Sequence, residues 1–114
     1  MEINGTNLSM TRGDSKTITV SCKDQNGNKI ILDTGDTVYF TVKRNPMVSE
    51  ILIQKIITIF NEGDAIIEIE PEDTENLSFG GYQYDIQWVS SAGRVTTIVK
   101  PSNFLIEPEI TNVR

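Results

Sequence analysis

Acidic side chains in two polar segments are the residues of this 114-residue chain whose types come nearest to acid–base chemistry or weak cation binding. Catalytic carboxylate pairs work when their surroundings push their pKa values apart, which requires a sheltered site. These segments instead have the composition of loops, and the formal net charge of −6 favours solvated carboxylates. We therefore predict no catalytic residue and expect that the protein is not an enzyme. The side chains considered are Asp33, Asp36, Glu72, Asp73 and Glu75.

Two further residue types limit the chemistry. The chain has no histidine, so it lacks the commonest general base and a common ligand of transition metals. Its single cysteine, Cys22, shares the apolar side of a predicted strand with Ile18 and Val20, so we expect a small core residue and no disulfide within the chain. We expect neither a cofactor nor a bound metal.

Two short motifs resemble functional signatures. The carboxylate and amides of Asp24, Asn26 and Asn28 are spaced like the start of a calcium loop, but Gly35 occupies the place of the bidentate glutamate. Asn-Gly within this segment is a strong hairpin signal, because both residues tolerate positive φ. The triplet Arg12-Gly13-Asp14 matches an adhesion motif, yet it precedes a threonine-rich strand and has turn residues. We predict a hairpin turn and a tight turn, respectively.

The stretch 80–89 contains aromatic side chains that could form a stacking platform for a sugar. Tyr82, Tyr84 and Trp88 alternate with polar residues and share one parity with Ile86. A period of two is typical of a strand with one buried and one solvated face. We therefore predict that these aromatic residues belong to the core, and that a tyrosine hydroxyl reaches the preceding turn as in a tyrosine corner.

The composition favours strands over helices. Isoleucine is frequent, whereas alanine occurs only at Ala65 and Ala92. Gly, Asn, Asp or Pro separates the alternating segments, and no helical stretch is long enough for a βαβ crossover. Acidic residues at the start of the segment 71–77 predict one short helical turn. Strands are predicted at 6–11, 16–23, 29–32, 37–44, 65–70, 80–89, 95–100 and 103–106.

Three parts of the chain are less regular. In the segment 51–60, Gln54 and Lys55 place polar side chains on both faces, which predicts a strand with a bulge or break near Gln54, or alternatively a helix. Pro101 and Pro108 are expected at sheet edges or strand ends, because proline donates no ladder hydrogen bond. The polar residues 109–114 are predicted to form a tail.

Together these patterns predict one domain spanning residues 1–114, since a chain of this length fits a single core. Eight or nine short strands with turns between them favour an all-β fold. The expected architecture is a two-sheet antiparallel immunoglobulin-like β-sandwich with one short helical turn near residues 72–77.

Charge and patterning also exclude several partners. The negative net charge and the lack of a basic stripe predict no binding to nucleic acid. Residues 1–5 have neither a basic nor a long apolar region, and no apolar run approaches the ~20 residues of a membrane span. We expect no signal peptide, no membrane partner, and a protein kept in a cytoplasm or carried out in a larger particle.

A series of turn and core motifs runs along the chain from about Leu8 to Glu107. The motifs are Arg12-Gly13-Asp14 before a threonine-rich strand, Asn26-Gly27, Val38-x-Phe40-x-Val42-Lys43, Gly63, Asp73-Thr74-x-x-Leu77, Gly81-Tyr82-x-Tyr84-Asp85-Ile86, Gly93 and Phe104-x-Ile106. In this order they resemble the N-terminal β-sandwich domain of the phage baseplate upper protein family. Because they are turn and core residues, they mark a fold rather than a chemistry.

The resemblance implies a structural protein of a phage or prophage, assembled in the host cytoplasm into a virion. It implies a place in a tail, baseplate or host-adhesion device, with other phage structural proteins or further copies in a homo-oligomer as partners. Family members usually continue beyond this domain, whereas this sequence ends at Arg114. Repeated copies meet through outward faces and loops, which gives as interface candidates Tyr39, Ile66, Pro46, Met47 and Val48.

Other functions stay open on the sequence alone. A carbohydrate or cell-surface binding module would need aromatic side chains such as Tyr39, Tyr82 or Trp88 side by side on the surface. An enzyme would need a perturbed carboxylate pair in a cleft. A bacterial immunoglobulin-like module of unrelated role is the remaining alternative.

Overall fold

The computed structural model describes residues 7–110, which form nine strands and one short helix. The all-β class predicted from the sequence is confirmed, while the immunoglobulin-like assignment stays a prediction. In chain order the elements are β1 Leu8–Thr11, β2 Lys16–Val20, β3 Cys22–Lys23, β4 Lys29–Ile30, β5 Thr37–Lys43, β6 Ile53–Ile57, β7 Ala65–Ile69, α1 Pro71–Thr74, β8 Gly80–Val89 and β9 Val95–Glu107.

The larger sheet has five strands in the order β1-β9-β8-β5-β6. Its central strand β8 pairs antiparallel with β5 on one side and with β9 on the other, whereas β1 joins β9 in parallel. The alternation of β5 and β8 buries Phe40 and Tyr84, whose ring centroids are 5.6 Å apart. Phe104 of β9 meets Tyr84 edge-on at 6.2 Å. The alternation predicted for the segment 80–89 is confirmed, since Tyr82, Tyr84 and Ile86 are buried.

Two short antiparallel ladders, β2–β7 and β3–β4, complete the core opposite these rings. Their inward residues Val20, Cys22 and Ile67 belong to the same hydrophobic cluster as Phe40 and Phe104. The strand predicted at 16–23 is interrupted at Ser21, which lies between the β2–β7 and β3–β4 ladders and whose hydroxyl donates to Asp64 Oδ1 at 2.8 Å. The Asn26-Gly27 turn joins β3 and β4 as predicted, with Gly27 at φ +85°.

The segment 51–60 contains an edge strand, β6, and not a helix. Its register with β5 is continuous from Val42↔Ile53 to Val38↔Ile57, so the predicted bulge near Gln54 is also wrong. Polar residues occupy both faces because the inward-facing Lys55 reaches the end of the sandwich and pairs with Asp73 at 2.7 Å.

Residues 95–107 form one long strand, β9, where the sequence predicts two. Pro101 lies inside it at an irregularity in the pairing with β8, between the pairs Tyr84↔Ser102 and Ile86↔Val99. On its other side β1 begins only opposite Phe104. Proline has no backbone N–H to donate. It is tolerated here because neither neighbouring strand is placed to accept a hydrogen bond from this position.

The predicted helical turn is present as α1 at one end of the sandwich. The Asp73 carboxylate accepts a hydrogen bond from the Glu70 amide at 2.7 Å, which satisfies a backbone donor at the helix start. Thr74 is fully buried, and its hydroxyl oxygen accepts a hydrogen bond from Gly13 N at 2.8 Å.

The tyrosine corner is also confirmed, since the Tyr82 hydroxyl donates to Ser78 O at 2.8 Å. Within residues 7–110, no helix has the length and apolar character of a membrane span.

Candidate functional site

The Arg12-Gly13-Asp14 triplet is built into the fold. The Arg12 guanidinium pairs with Glu109 at 2.9 Å, donates to Leu77 O at 3.3 Å and lies 4.2 Å from the centroid of the Phe79 ring. These contacts hold the end of β1 and the chain after β9 against the segment that follows α1. The side chain of Arg12 therefore contributes to packing within the domain and is not presented to a binding partner.

The turn carboxylates bond their own backbone. Asp24 Oδ1 accepts from the amides of Asn26 and Asn28, each at 2.9 Å, as expected for a hairpin turn. Asp36 Oδ2 accepts from Asp33 N at 3.0 Å. In the part of the chain that the structure describes, no group of three or more Cys, Asp or Glu residues is placed to hold a metal ion.

Cys22 is completely buried in the core cluster. Burial, with smaller effects from Asp64 and Asp36, raises the pKa of the Cys22 thiol to about 11. A thiol with this pKa is protonated at neutral pH and is a poor nucleophile. The prediction of a core cysteine is thus confirmed.

The aromatic residues of β8 do not form a surface platform. Tyr82 and Tyr84 are only 2% and 3% exposed, and the Arg44 guanidinium covers Tyr82 at 5.2 Å from its ring centroid. Trp88 packs partly buried against the core, and its indole nitrogen is buried with no hydrogen-bond partner among residues 7–110. A sugar platform made of these three rings is therefore excluded.

The outward face of the five-stranded sheet instead carries a groove of about 290 Å³, here called the sheet-face groove. Its floor comes from outward residues on adjacent strands, paired as Tyr39↔Gln87, Thr41↔Asp85 and Lys43↔Gln83. Gln54 of β6 lies opposite Thr41 and donates to its hydroxyl at 3.2 Å. The walls come from the loop between β5 and β6 and from the irregular part of β9, with Pro46, Ile51 and Pro101.

Asp85 is the unusual charge in the sheet-face groove. Partial burial raises the pKa of its carboxyl above the ordinary aspartate value, and nearby Lys43 opposes that shift in part. No hydrogen bond from another residue in the range 7–110 reaches this carboxylate. A carboxylate in this position can accept hydrogen bonds from a bound molecule.

An apolar surface adjoins one side of the groove. We call Met47, Ile51 and Ile56 the apolar rim; they are 91%, 48% and 56% exposed. Ile56 lies on the outward face opposite Tyr39, and Met47 follows Pro46 in the loop. A second shallow depression of about 550 Å³ lies near the opposite end of β6, beside the exposed Ile31 and Ile59.

The interface residues predicted from the sequence fall in two places. Tyr39 and Pro46 line the sheet-face groove, and Met47 is exposed beside them, whereas Val48 is half-buried. Ile66 lies on β7 opposite Thr19, in a ladder outside the five-stranded sheet. Sequence reasoning missed Gln83, Asp85 and Gln87 as groove residues. Their shared outward parity was the available signal, but parity does not reveal which strand lies alongside.

The fold is similar to that of a solved phage domain, the N-terminal domain of phage TP901-1 ORF48. The similarity has a TM-score of 0.52 at 13% sequence identity and covers 93% of this chain and 90% of that chain. At this level of identity it shows a shared fold. The sequence matches no family profile and no curated protein.

Proposed function

We propose that this protein is a non-catalytic structural or assembly module of a phage or prophage particle, acting through protein–protein contacts within a tail, baseplate or host-adhesion device. One observation carries the proposal: the likeness to a phage domain extends over nearly the whole of both chains. A match of this extent relates complete domains rather than a shared hairpin. The fold likeness and the resemblance of the turn and core motifs both support a structural module.

The apolar rim is the surface best suited to such contacts. Its three side chains, Met47, Ile51 and Ile56, are exposed beside the half-buried ring of Tyr39. Methionine and aromatic residues are enriched in interface cores, where they are desolvated by the partner. We propose that other phage structural proteins, or further copies of this chain, cover the rim in the virion.

The proposal is tested on particles produced by the strain that carries the gene. Purified virions are analysed by mass spectrometry and labelled with gold-conjugated antibody against this chain. We expect the chain in the particles, with gold confined to the tail or its tip. Expression of the chain in infected or induced cells, together with its absence from the particles, contradicts the proposal.

The rim is tested in the same particles with a double variant, Met47→Glu with Ile56→Glu. Two charges in a desolvated contact are costly, so we expect at least a tenfold loss of incorporation (about 1.4 kcal/mol) while the isolated chain stays folded. The matched control is Thr17→Glu with Thr19→Glu, on the exposed positions of β2. Normal incorporation of the rim variant assigns the contacts to another surface.

A further inference from the structure

We propose that the sheet-face groove binds one ring of a neutral sugar, with Tyr39 as the stacking residue and Asp85 as the principal hydrogen-bond acceptor. This inference goes beyond the assembly role and does not depend on it. The site differs from the platform considered from the sequence, because its stacking ring is that of Tyr39 and not that of Tyr82, Tyr84 or Trp88.

The aromatic component is Tyr39. It is the one tyrosine on the outward face of the described sheet, and its half-buried ring lines the groove. The face of an aromatic ring carries partial negative charge and packs well against polarised C–H groups. A pyranose presents such C–H groups on one side of its ring, whereas an open-chain polyol has no fixed apolar face.

The polar component surrounds this ring. Gln87 lies directly across from Tyr39, Asp85 lies across from Thr41, and Gln54 approaches from the other side. Glutamine amides both donate and accept hydrogen bonds, while an ionised carboxylate only accepts. Vicinal hydroxyl groups need this mixture, because each one donates one hydrogen bond and accepts others.

Charge decides between a sugar and a cationic side chain. The whole chain carries −6, but the groove contains one lysine and one aspartate, so its own side chains sum to zero. Burial raises the pKa of Asp85, and Lys43 is close enough to offset part of that rise. A guanidinium placed against Asp85 would therefore meet the Lys43 ammonium, and like charges at short range repel. A neutral ligand can use the Asp85 carboxylate as a hydrogen-bond acceptor without being repelled by Lys43.

Size and shape agree with one ring. The volume of about 290 Å³ lies at the lower end of the range for small-molecule sites, roughly 300–1,000 Å³. Pro46 and Pro101 stand in its walls, and their rings fix the local backbone without adding mobile side chains. A shallow groove that is open at its mouth could take a terminal or internal ring of a longer glycan.

The inference is tested with the isolated isotope-labelled chain by NMR titration. The probes are D-glucose, D-galactose and N-acetyl-D-glucosamine, with sorbitol as the open-chain control and methylguanidinium as the cationic control. We expect at least one hexose to cause saturable shifts confined to β5, β6 and β8, with a Kd of about 1–10 mM, and sorbitol to bind at least tenfold more weakly.

Variants assign the shifts to the groove. We expect Tyr39→Ala and Asp85→Asn to weaken binding at least tenfold, whereas Tyr39→Phe retains it because the ring remains. The matched controls are Asp14→Asn and Gln25→Ala, which change exposed turn residues and should bind normally. Thermal unfolding confirms that each variant is folded.

Three outcomes overturn the inference. One is the absence of saturable shifts with every hexose; another is binding that survives both Tyr39→Ala and Asp85→Asn. The third is saturable binding of methylguanidinium, but of no hexose, at the same amides, which assigns the groove to a basic side chain of a protein partner. Particle incorporation is measured separately, so failure here leaves the assembly role standing.

Discussion

The carboxylate of Asp85 opposes folding at neutral pH. Burial raises its pKa in the folded protein, so the folded state holds this proton more tightly than the unfolded chain does. The unfavourable contribution is present above the folded pKa, shrinks as the pH falls through that value, and is gone below the unfolded pKa. A groove residue that lowers stability is typical of a binding site, where function rather than stability decides the residue type.

Replacing Asp85 by asparagine should therefore stabilise the protein at pH 7. We expect the free energy of unfolding to rise by about 1 kcal/mol or less, because the site is partly open to solvent screening. The gain should disappear on acidification to about pH 3, where the parent aspartate is protonated. Urea unfolding at several pH values measures both effects. Gln25→Ala, on an exposed turn, is the control and should show no such pH-dependent gain, and a destabilised Asp85→Asn variant contradicts the assignment of the pKa shift to burial.

Thr74 links the first turn of the chain to α1. Its buried hydroxyl oxygen accepts the Gly13 amide hydrogen, which lies in a partly buried position. Replacement by valine keeps the shape but removes the acceptor, so the Gly13 amide loses its partner. We expect Thr74→Val to lower the free energy of unfolding by about 1–3 kcal/mol.

Urea unfolding checks the Thr74 prediction against two controls. Thr74→Ser keeps the oxygen and should lose less stability than Thr74→Val. Thr58→Val, at an exposed position after β6, should stay within about 0.5 kcal/mol of the parent. A greater loss for the serine variant than for the valine variant would show that the methyl group matters more than the hydrogen bond at Thr74.

At the scale of elements, the sequence predicts those strands whose faces are set by their own side chains. The inward side chains of β5, and those of β8 from Tyr82 to Ile86, are apolar and buried. The alternation of apolar and polar residues alone therefore identifies the buried face of these strands. The character of β6 and β9 depends on other segments. Lys55 is tolerated on an inward face because Asp73 of α1 receives it, and Pro101 is tolerated because β1 starts further along. Such pairings are not visible in local patterns.

The groove was predictable only in part for the same reason. Tyr39 and Pro46 are identifiable as outward or loop residues, and Asp85 shares its parity with Gln83 and Gln87. The site exists because β8 lies between β5 and β9, which places Asp85 opposite Thr41. Register between distant strands is a tertiary property, so spacing along the chain could not assemble these residues.

The tolerance of β9 for proline should be confined to its irregular part. Leu105 lies between Ser9 of β1 and Gly81 of β8, where the backbone amides of a central strand bond to a neighbour. We expect Leu105→Pro to lower the free energy of unfolding by at least about 2 kcal/mol, because it removes a ladder bond and clashes with the neighbouring strand. Pro101→Ala should change it by only about 1 kcal/mol or less.

Denaturant unfolding compares these two variants. Leu105→Ala controls for loss of the half-exposed leucine side chain, so the excess loss in Leu105→Pro reports the backbone. A Leu105→Pro variant as stable as Leu105→Ala would show that β1 and β8 do not hold this part of β9.

At the scale of the whole molecule, β6 is one of the two edge strands of the five-stranded sheet. Exposed edges invite pairing with a second chain, and an inward-pointing charge is one way of preventing it. Lys55 has this position, with its ammonium held by Asp73. This charge is therefore expected to disfavour extension of the sheet by a second chain.

Lys55→Met should therefore increase self-association. The variant keeps a long apolar side chain but lacks the charge, so we expect light scattering to show dimers or larger species at concentrations where the parent shows fewer. Lys29→Met, which removes the ion pair of Lys29 with Asp64 away from the β6 edge, is the matched control. Identical mass distributions for Lys55→Met and the parent would show that another feature protects the edge.

The parallel pairing of β1 with β9 has a consequence for folding during synthesis. A ribosome releases β1 before β9, because the residues of β9 that pair with β1 come 96 positions later in the chain. Asn7 and Asn103, which hydrogen-bond across this seam, are 96 positions apart, and closing so long a loop costs roughly 4 kcal/mol in chain entropy. During synthesis β1 therefore stays without its partner until β9 has been made, so this pair of strands is expected to form late relative to local hairpins.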